Sequence, residues 1–344
     1  MVRSMYAKAM VPKLVVAALL AFLLSIPIIY AESSAAGFNP REEKGLLNPT
    51  GATEFPQTAV DELIKAQSEN HAMRWFYADT PADLKGAALV IHGLNLQPDR
   101  MQPIISELTQ SGIDVLALTL HGHGDNYTRR KGLSEDQARL EAFKHVSYPL
   151  WLNEAYLAYL QLKQRGKEKG VPLFLAAFSL GGLIGLDLFA DNPDVRFDKV
   201  VLFAPAVRLR AIVYLERVLS SFPRLVIPSM APEPYLANHK GTPIAAYNAL
   251  FEGLERFNRN AGQKLNVPTL VFIDSKDEFI PLAKLENLVK DNNWNRWQFY
   301  IVAKDKSARD GAFYHHIIDA SSTGKTVWQE MMTAAVNHLL NHKP

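Results

Sequence analysis

Three side-chain types in this chain fall in an order that supports acyl-transfer chemistry. Ser179 lies in the run Phe174-Leu175-Ala176-Ala177-Phe178-Ser179-Leu180-Gly181-Gly182, where a strand-like stretch leads straight into the serine and a helix-like stretch leads straight out. A sharp strand-to-helix turn of this kind holds a hydroxyl out above a sheet, and small residues two before and two after it let the helix pack close to the strand. Here those residues are Ala177 and Gly181. The plain structural reading is a turn in which Ser179 only caps the helix. A serine nucleophile also needs an imidazole to take its proton and a carboxylate to orient that imidazole. Asp277 lies just past the strand-like run 269–273, with Asp274 as its competitor; both also suit a plain turn. Two adjacent histidines, His315 and His316, follow the last strand-like run, and an apolar pair follows them. His316 is the expected base and His315 the alternative. The order is then Ser179, Asp277, His316, with separations of 98 and 39.

The negative charge that develops on an attacked carbonyl oxygen needs fixed donors. His92-Gly93-Leu94-Asn95 closes the first apolar run, and its glycine permits a tight turn that aims the Leu94 amide into a cleft. The amide of Leu180, at the start of the helix after Ser179, is the second expected donor. His92 itself reads as a structural residue that holds its loop. His121 and His123 form a His-x-His pair, but no Cys or further His accompanies them, so no metal is expected. No other cofactor is called for. The charged residues Arg129, Arg130, Lys131, Glu135 and Asp136 read as a solvated face.

The elements that must position these groups alternate regularly. Apolar strand-like runs at 87–91, 114–120, 171–178, 200–204, 269–273 and 298–302 are separated by helical patterns near 105–112, 150–165, 181–190 and 282–289, and 326–340 closes the chain. This alternation predicts an α/β fold with a mostly parallel sheet flanked by helices. The strand runs are apolar throughout, as a sheet covered on both faces requires. Residues 207–262 interrupt the alternation with helical patches at 211–219 and 244–257, and are expected to form a helical cap over the carboxyl ends of the strands, where ligands bind in such sheets.

The motifs together resemble the α/β-hydrolase superfamily, and within it the serine hydrolases of the monoacylglycerol lipase, lysophospholipase and serine aminopeptidase-like group. The resemblance runs from about residue 86 to the end of the chain. It rests on His92-Gly93-Leu94, on Leu120-His121-Gly122-His123-Gly124-Asp125, on the turn around Ser179, and on Asp277-Glu278-Phe279-Ile280-Pro281. Ala177 stands where a glycine is usual, and His121 where an aspartate is common. The resemblance implies hydrolysis of esters or amides. Apolar residues in the insertion (Val213, Leu215, Val218 and Leu219) suit an acyl chain and favour a small-molecule or lipid ester. An aminopeptidase or amidase would instead need a cap carboxylate to hold an ammonium, and Glu216, Glu233, Glu252 and Glu255 are the candidates. A non-catalytic binding protein on the same scaffold is the alternative of another class.

Composition narrows the remaining classes. The 344 residues are 48% hydrophobic and 21% charged, the range of a packed globular protein. The absence of Cys excludes disulfides, thiolate metal sites and a cysteine nucleophile. Net charge is +2, yet residues 1–31 carry +3 through Arg3, Lys8 and Lys13; subtracting that leaves −1 for the remainder. A near-neutral body does not suit nucleic acid. Residues 1–31, a basic stretch followed by the apolar run 14–31, read as a secretory signal peptide or an N-terminal membrane anchor, and so predict a periplasmic, secreted or membrane-attached protein. Residues 32–58 read as a polar linker or arm, and 59–344 as the hydrolase domain.

Overall fold

The protein was studied as a computed structural model that describes residues 72–341. The N-terminal segment 1–31 and the linker 32–58 lie outside the described residues. No helix among the described residues is long and apolar enough to cross a membrane.

Seven strands form one sheet: β1 (Met73–Phe76), β2 (Gly86–Ile91), β3 (Ile113–Leu118), β4 (Leu173–Phe178), β5 (Lys199–Phe203), β6 (Thr269–Ile273) and β7 (Trp297–Ile301). Their order across the sheet is β1-β3-β2-β4-β5-β6-β7. All neighbours run parallel except β1, which pairs antiparallel with β3. The expected α/β architecture is therefore present, with β1 added at an edge. The central strands are buried almost throughout, whereas β1 and β7 expose part of their residues, as edge strands do. The flanking helices are α1 (Gln102–Gln110), α2 (Glu135–Phe143), α3 (Tyr148–Lys169), α4 (Leu180–Asp191), α5 (Ile244–Asn260), α6 (Leu282–Asp291) and α7 (Lys325–Leu340). Arg129, Arg130, Lys131, Glu135 and Asp136 are all exposed, as expected of a solvated face, and the stretch that carries them is ordered. It contains α2, whose start is fixed by a capping box between Ser134 and Gln137.

The insertion between β5 and β6 is only partly helical. It holds a 3-10 segment (Ala211–Leu219), a two-stranded ribbon pairing Val226–Ile227 with Thr242–Pro243, a 3-10 turn (Glu233–Tyr235) and α5. Helix α5 is fastened to the core. Arg256 Nε donates to Asp187 Oδ2 at 2.9 Å, and Tyr148 Oη donates to the same oxygen at 3.1 Å. A Cβ at Gly253 would lie 2.2 Å from the Tyr148 ring, so only glycine allows α5 this close to α3.

Candidate active site

Strand β4 delivers Ser179 at its carboxyl end in a strained backbone conformation, φ 50° and ψ −114°. Such a conformation in a non-glycine residue persists only where its surroundings enforce it. They do so here through the Ser179 amide, which donates to Phe203 O at 3.0 Å, and through the Ser179 carbonyl, which accepts from Gly182 N and Ala206 N. A Cβ on Gly181 would fall 2.3 Å from Ile91 O, so glycine at that position lets α4 start against the end of β2. The Ser179 hydroxyl makes no capping bond to α4. It lies 2.9 Å from His315 Nε2 instead, which leaves the simple helix-cap reading without support.

His315 Nδ1 is 2.8 Å from Asp277 Oδ2. With Nδ1 donating to the carboxylate, Nε2 is free to accept the serine proton. The other carboxylate oxygen of Asp277 accepts from the amides of Phe279 and Ile280, each at 2.8 Å. Asp277, the expected acid, thus occupies the orienting position. Asp274 does not: it accepts from Lys276 N at 2.8 Å and serves its own turn.

The histidine assignment is corrected. His315, not His316, stands between Ser179 and Asp277. The two residues lie at the end of a turn, their ring centroids are 6.2 Å apart, and only the His315 ring reaches the serine hydroxyl. The His316 ring packs among Tyr235, Phe313 and Phe178, with centroids 4.5, 4.8 and 5.9 Å away. Its buried Nδ1 has no partner among the described residues. Burial above all, then the charges of His315, Lys304 and Arg100, hold its pKa well below the ordinary value, so the ring is neutral.

The expected oxyanion donors flank the serine. Leu180 is the first residue of α4, where amides lack intrahelical acceptors. Leu94 follows Gly93, and a Cβ on Gly93 would lie 3.3 Å from Ser179 Cβ. The loop carrying Leu94 is held from both sides by buried histidines. His92 Nε2 accepts from Leu120 N at 3.0 Å, while its Nδ1 donates to Gly93 O at 2.8 Å. His123 Nε2 accepts from Asn95 N at 3.0 Å. That lone pair is therefore committed to the loop and unavailable to a metal. Asn95, in a left-handed conformation at φ 49°, also exchanges side-chain bonds with the Asn238 backbone, tying the insertion to this loop. Asn95 and Asn238 hold the Leu94 loop, and Glu278 and Lys304 bond to the backbone of residues 313–316 beside His315, yet their sequence setting points to none of these contacts. They act on backbone groups, which leaves no recognisable spacing; only the Gly-His-Gly loop hinted at His123.

Burial pushes the His92 pKa down from 6.5 to about 4. A group whose folded pKa lies below its unfolded one loses its stabilising contribution as pH falls from 6.5 towards 4. His92→Gln is therefore expected to be less stable than the parent at pH 8. The gap should shrink by about 2 kcal/mol by pH 5 as the parent loses the neutral-imidazole contribution. Unfolding measured at both pH values checks this; a gap independent of pH would contradict it.

A family model described as "Serine aminopeptidase, S33" matches residues 82–240. The fold is similar to a soluble variant of monoglyceride lipase from Saccharomyces cerevisiae, at 13% identity and TM-score 0.62, over 79% of this chain and 92% of that one. The chain has the α/β-hydrolase fold. Two further structures share this α/β-hydrolase fold. The metagenome-derived lipolytic enzymes LipS and LipT match at 15% identity and TM-score 0.60, over 78% of this chain and 97% of the other. Monoacylglycerol lipase from Paleococcus ferrophilus matches at 19% identity and TM-score 0.55, over 77% and 98%. Among curated proteins none matches this sequence.

Proposed function

We propose that the chain is a serine hydrolase that cleaves carboxylic esters through an acyl-enzyme on Ser179. The observation that carries this reading is one imidazole, His315, within hydrogen-bond reach of both the Ser179 hydroxyl and the Asp277 carboxylate. His315 takes the hydroxyl proton as Ser179 attacks the ester carbonyl, and Asp277 stabilises the imidazolium that forms. The Leu94 and Leu180 amides receive the oxyanion. The imidazolium then protonates the departing alcohol. Water, deprotonated by His315, releases the acid and restores Ser179.

Preference for an apolar ester is supported by the names of the structural relatives, which describe monoglyceride lipases and lipolytic enzymes. It is also supported by Ile212, Leu215, Val218 and Phe222 of the insertion, all large, apolar and exposed. Leu219, by contrast, is buried, and Val213 packs against the core, so these two serve the fold. A second reading, cleavage of aminoacyl bonds, is favoured by one feature: Glu216 in the insertion has a buried carboxylate oxygen without a partner among the described residues, a group able to receive an ammonium. A panel of fluorogenic acyl esters and aminoacyl amides separates the two. We expect ester turnover with kcat/KM rising with acyl length over the short and medium chains. Turnover of the amides alone would reverse the assignment.

A further inference from the structure

The segment that carries His315 is held by two charged side chains that touch neither the serine nor the imidazole. Glu278 Oε1 accepts from the Tyr314 amide at 3.0 Å, and Oε2 accepts from the His315 amide at 2.9 Å. From the other charge sign, Lys304 Nζ donates to Phe313 O at 2.7 Å and to His316 O at 2.6 Å. Four backbone groups of residues 313–316 are therefore tied down by one carboxylate and one ammonium. Hydrogen bonds with an ionised partner are shorter and stronger than neutral ones. Glu278 and Lys304 form no ion pair of their own among the described residues; they meet through the loop between them.

The placement of Glu278 matters because it follows Asp277 directly. Two consecutive residues thus hold His315 twice, Asp277 at the ring and Glu278 at the backbone amide. Asp277 is itself held by the Phe279 and Ile280 amides, so the acid loop and the histidine loop form one hydrogen-bonded unit. Lys304 is buried enough to bring its pKa down to about 8, against the opposing pull of Asp274, Glu278, Asp277 and Asp319. Fixing the peptide planes on both sides of His315 sets which of the two adjacent rings turns towards Ser179.

We propose that Glu278 and Lys304 form a clamp on the backbone of residues 313–316 that positions His315 for proton transfer with Ser179. The inference rests on the reading of Ser179, Asp277 and His315 as a catalytic triad. Both clamp residues are positioning residues. Misplacing a reacting group by about 1 Å costs on the order of 10²-fold in rate, and loss of the clamp is expected to act on kcat and not on substrate binding.

The test measures kcat per reactive serine, counted by titration with a fluorophosphonate, so that unfolded protein does not contribute. Glu278→Ala is expected to lower this kcat by about 100-fold, with KM changed less than about threefold. Glu278→Gln, which keeps one acceptor oxygen, should lose about 10-fold, and Lys304→Met a similar amount. Each change is also made in a His315→Ala background, where fluorophosphonate reacts too slowly to count the serine and the rate is normalised to folded protein measured by circular dichroism. A residue that works through His315 has nothing left to position there, so the residual rate should move less than about threefold. Losses that multiply fully in that background would overturn the clamp, as would Glu278→Gln and Lys304→Met both turning over within about threefold of the parent. The Gln and Met variants decide the matter even if Glu278→Ala does not fold. Ser179→Ala serves as the control: full turnover in that variant would overturn the triad reading itself. An inactive Ser179→Ala beside fully active clamp variants would overturn the clamp alone.

Discussion

Ser179→Ala is expected to lose ester hydrolysis by roughly 10⁴-fold or more while remaining folded. The size of the effect follows from how the hydroxyl is held. Its backbone is forced to φ 50° by bonds to β5 and to the loop beyond it, and its hydroxyl is bonded to His315 and not to the helix it begins. Removing the oxygen takes away the atom that forms the acyl bond. It takes nothing from the packing, because Ala at this position keeps the Cβ that lies against Gly93. Steady-state turnover of a fluorogenic ester, together with circular dichroism of the purified variant, measures both halves of the expectation. Folded protein with turnover within about tenfold of the parent would remove Ser179 from the nucleophile's role.

The second large effect separates the adjacent histidines. His315→Ala should be about as severe as Ser179→Ala, since members of a triad fail together. Without the ring, Asp277 has no bridge to the serine, and no other imidazole among the described residues is bonded to the serine hydroxyl. His316 cannot take its place, because its ring lies among Tyr235, Phe313 and Phe178. His316→Phe should therefore keep activity within about tenfold, the residual loss coming from small shifts in the histidine loop. The substitution also removes a buried nitrogen that has no partner, a group that costs about 1–3 kcal/mol when left unsatisfied. Rapid-mixing measurement of the acylation burst distinguishes the pair. Collapse in His315→Ala with a near-normal burst in His316→Phe is the expected pattern, and the reverse would return the base to His316.

This pair also shows where sequence reasoning ran out. Ser179, Asp277 and both candidate histidines were legible because each follows a strand, and strands here announce themselves as unbroken apolar runs. The six expected strands lie within one residue of those observed at either end, apart from the start of β4 and the end of β3, where the apolar run outlasts the ladder by two residues. The choice between His315 and His316 was not legible. It depends on which way an irregular loop turns, and that is set by Glu278 and Lys304 through backbone contacts 37 and 12 residues away in sequence. Strand β1 escaped notice because Met73–Phe76 is a four-residue edge strand, only partly buried. Helix α2 escaped because its charged residues mask the periodicity, although the Ser134-Gln137 capping box was there to be read. The insertion is less helical than its apolar spacing predicts. The apolar spacing of 211–219 suits an α-helix, but the segment winds as a 3-10 helix, and the short ribbon beside it has strands of only two residues.

The central claim is that Ser179 is the nucleophile and that His315 activates it. The most direct measurement is covalent labelling with a fluorophosphonate ester followed by mass spectrometry of the peptides, run in parallel on the parent protein and on His315→Ala and His316→Phe. The account predicts one phosphonyl adduct on Ser179 in the parent, formed at nearly the same rate in His316→Phe and at least about 10³-fold more slowly in His315→Ala. An adduct on another residue, or labelling of Ser179 that does not depend on His315, would contradict it.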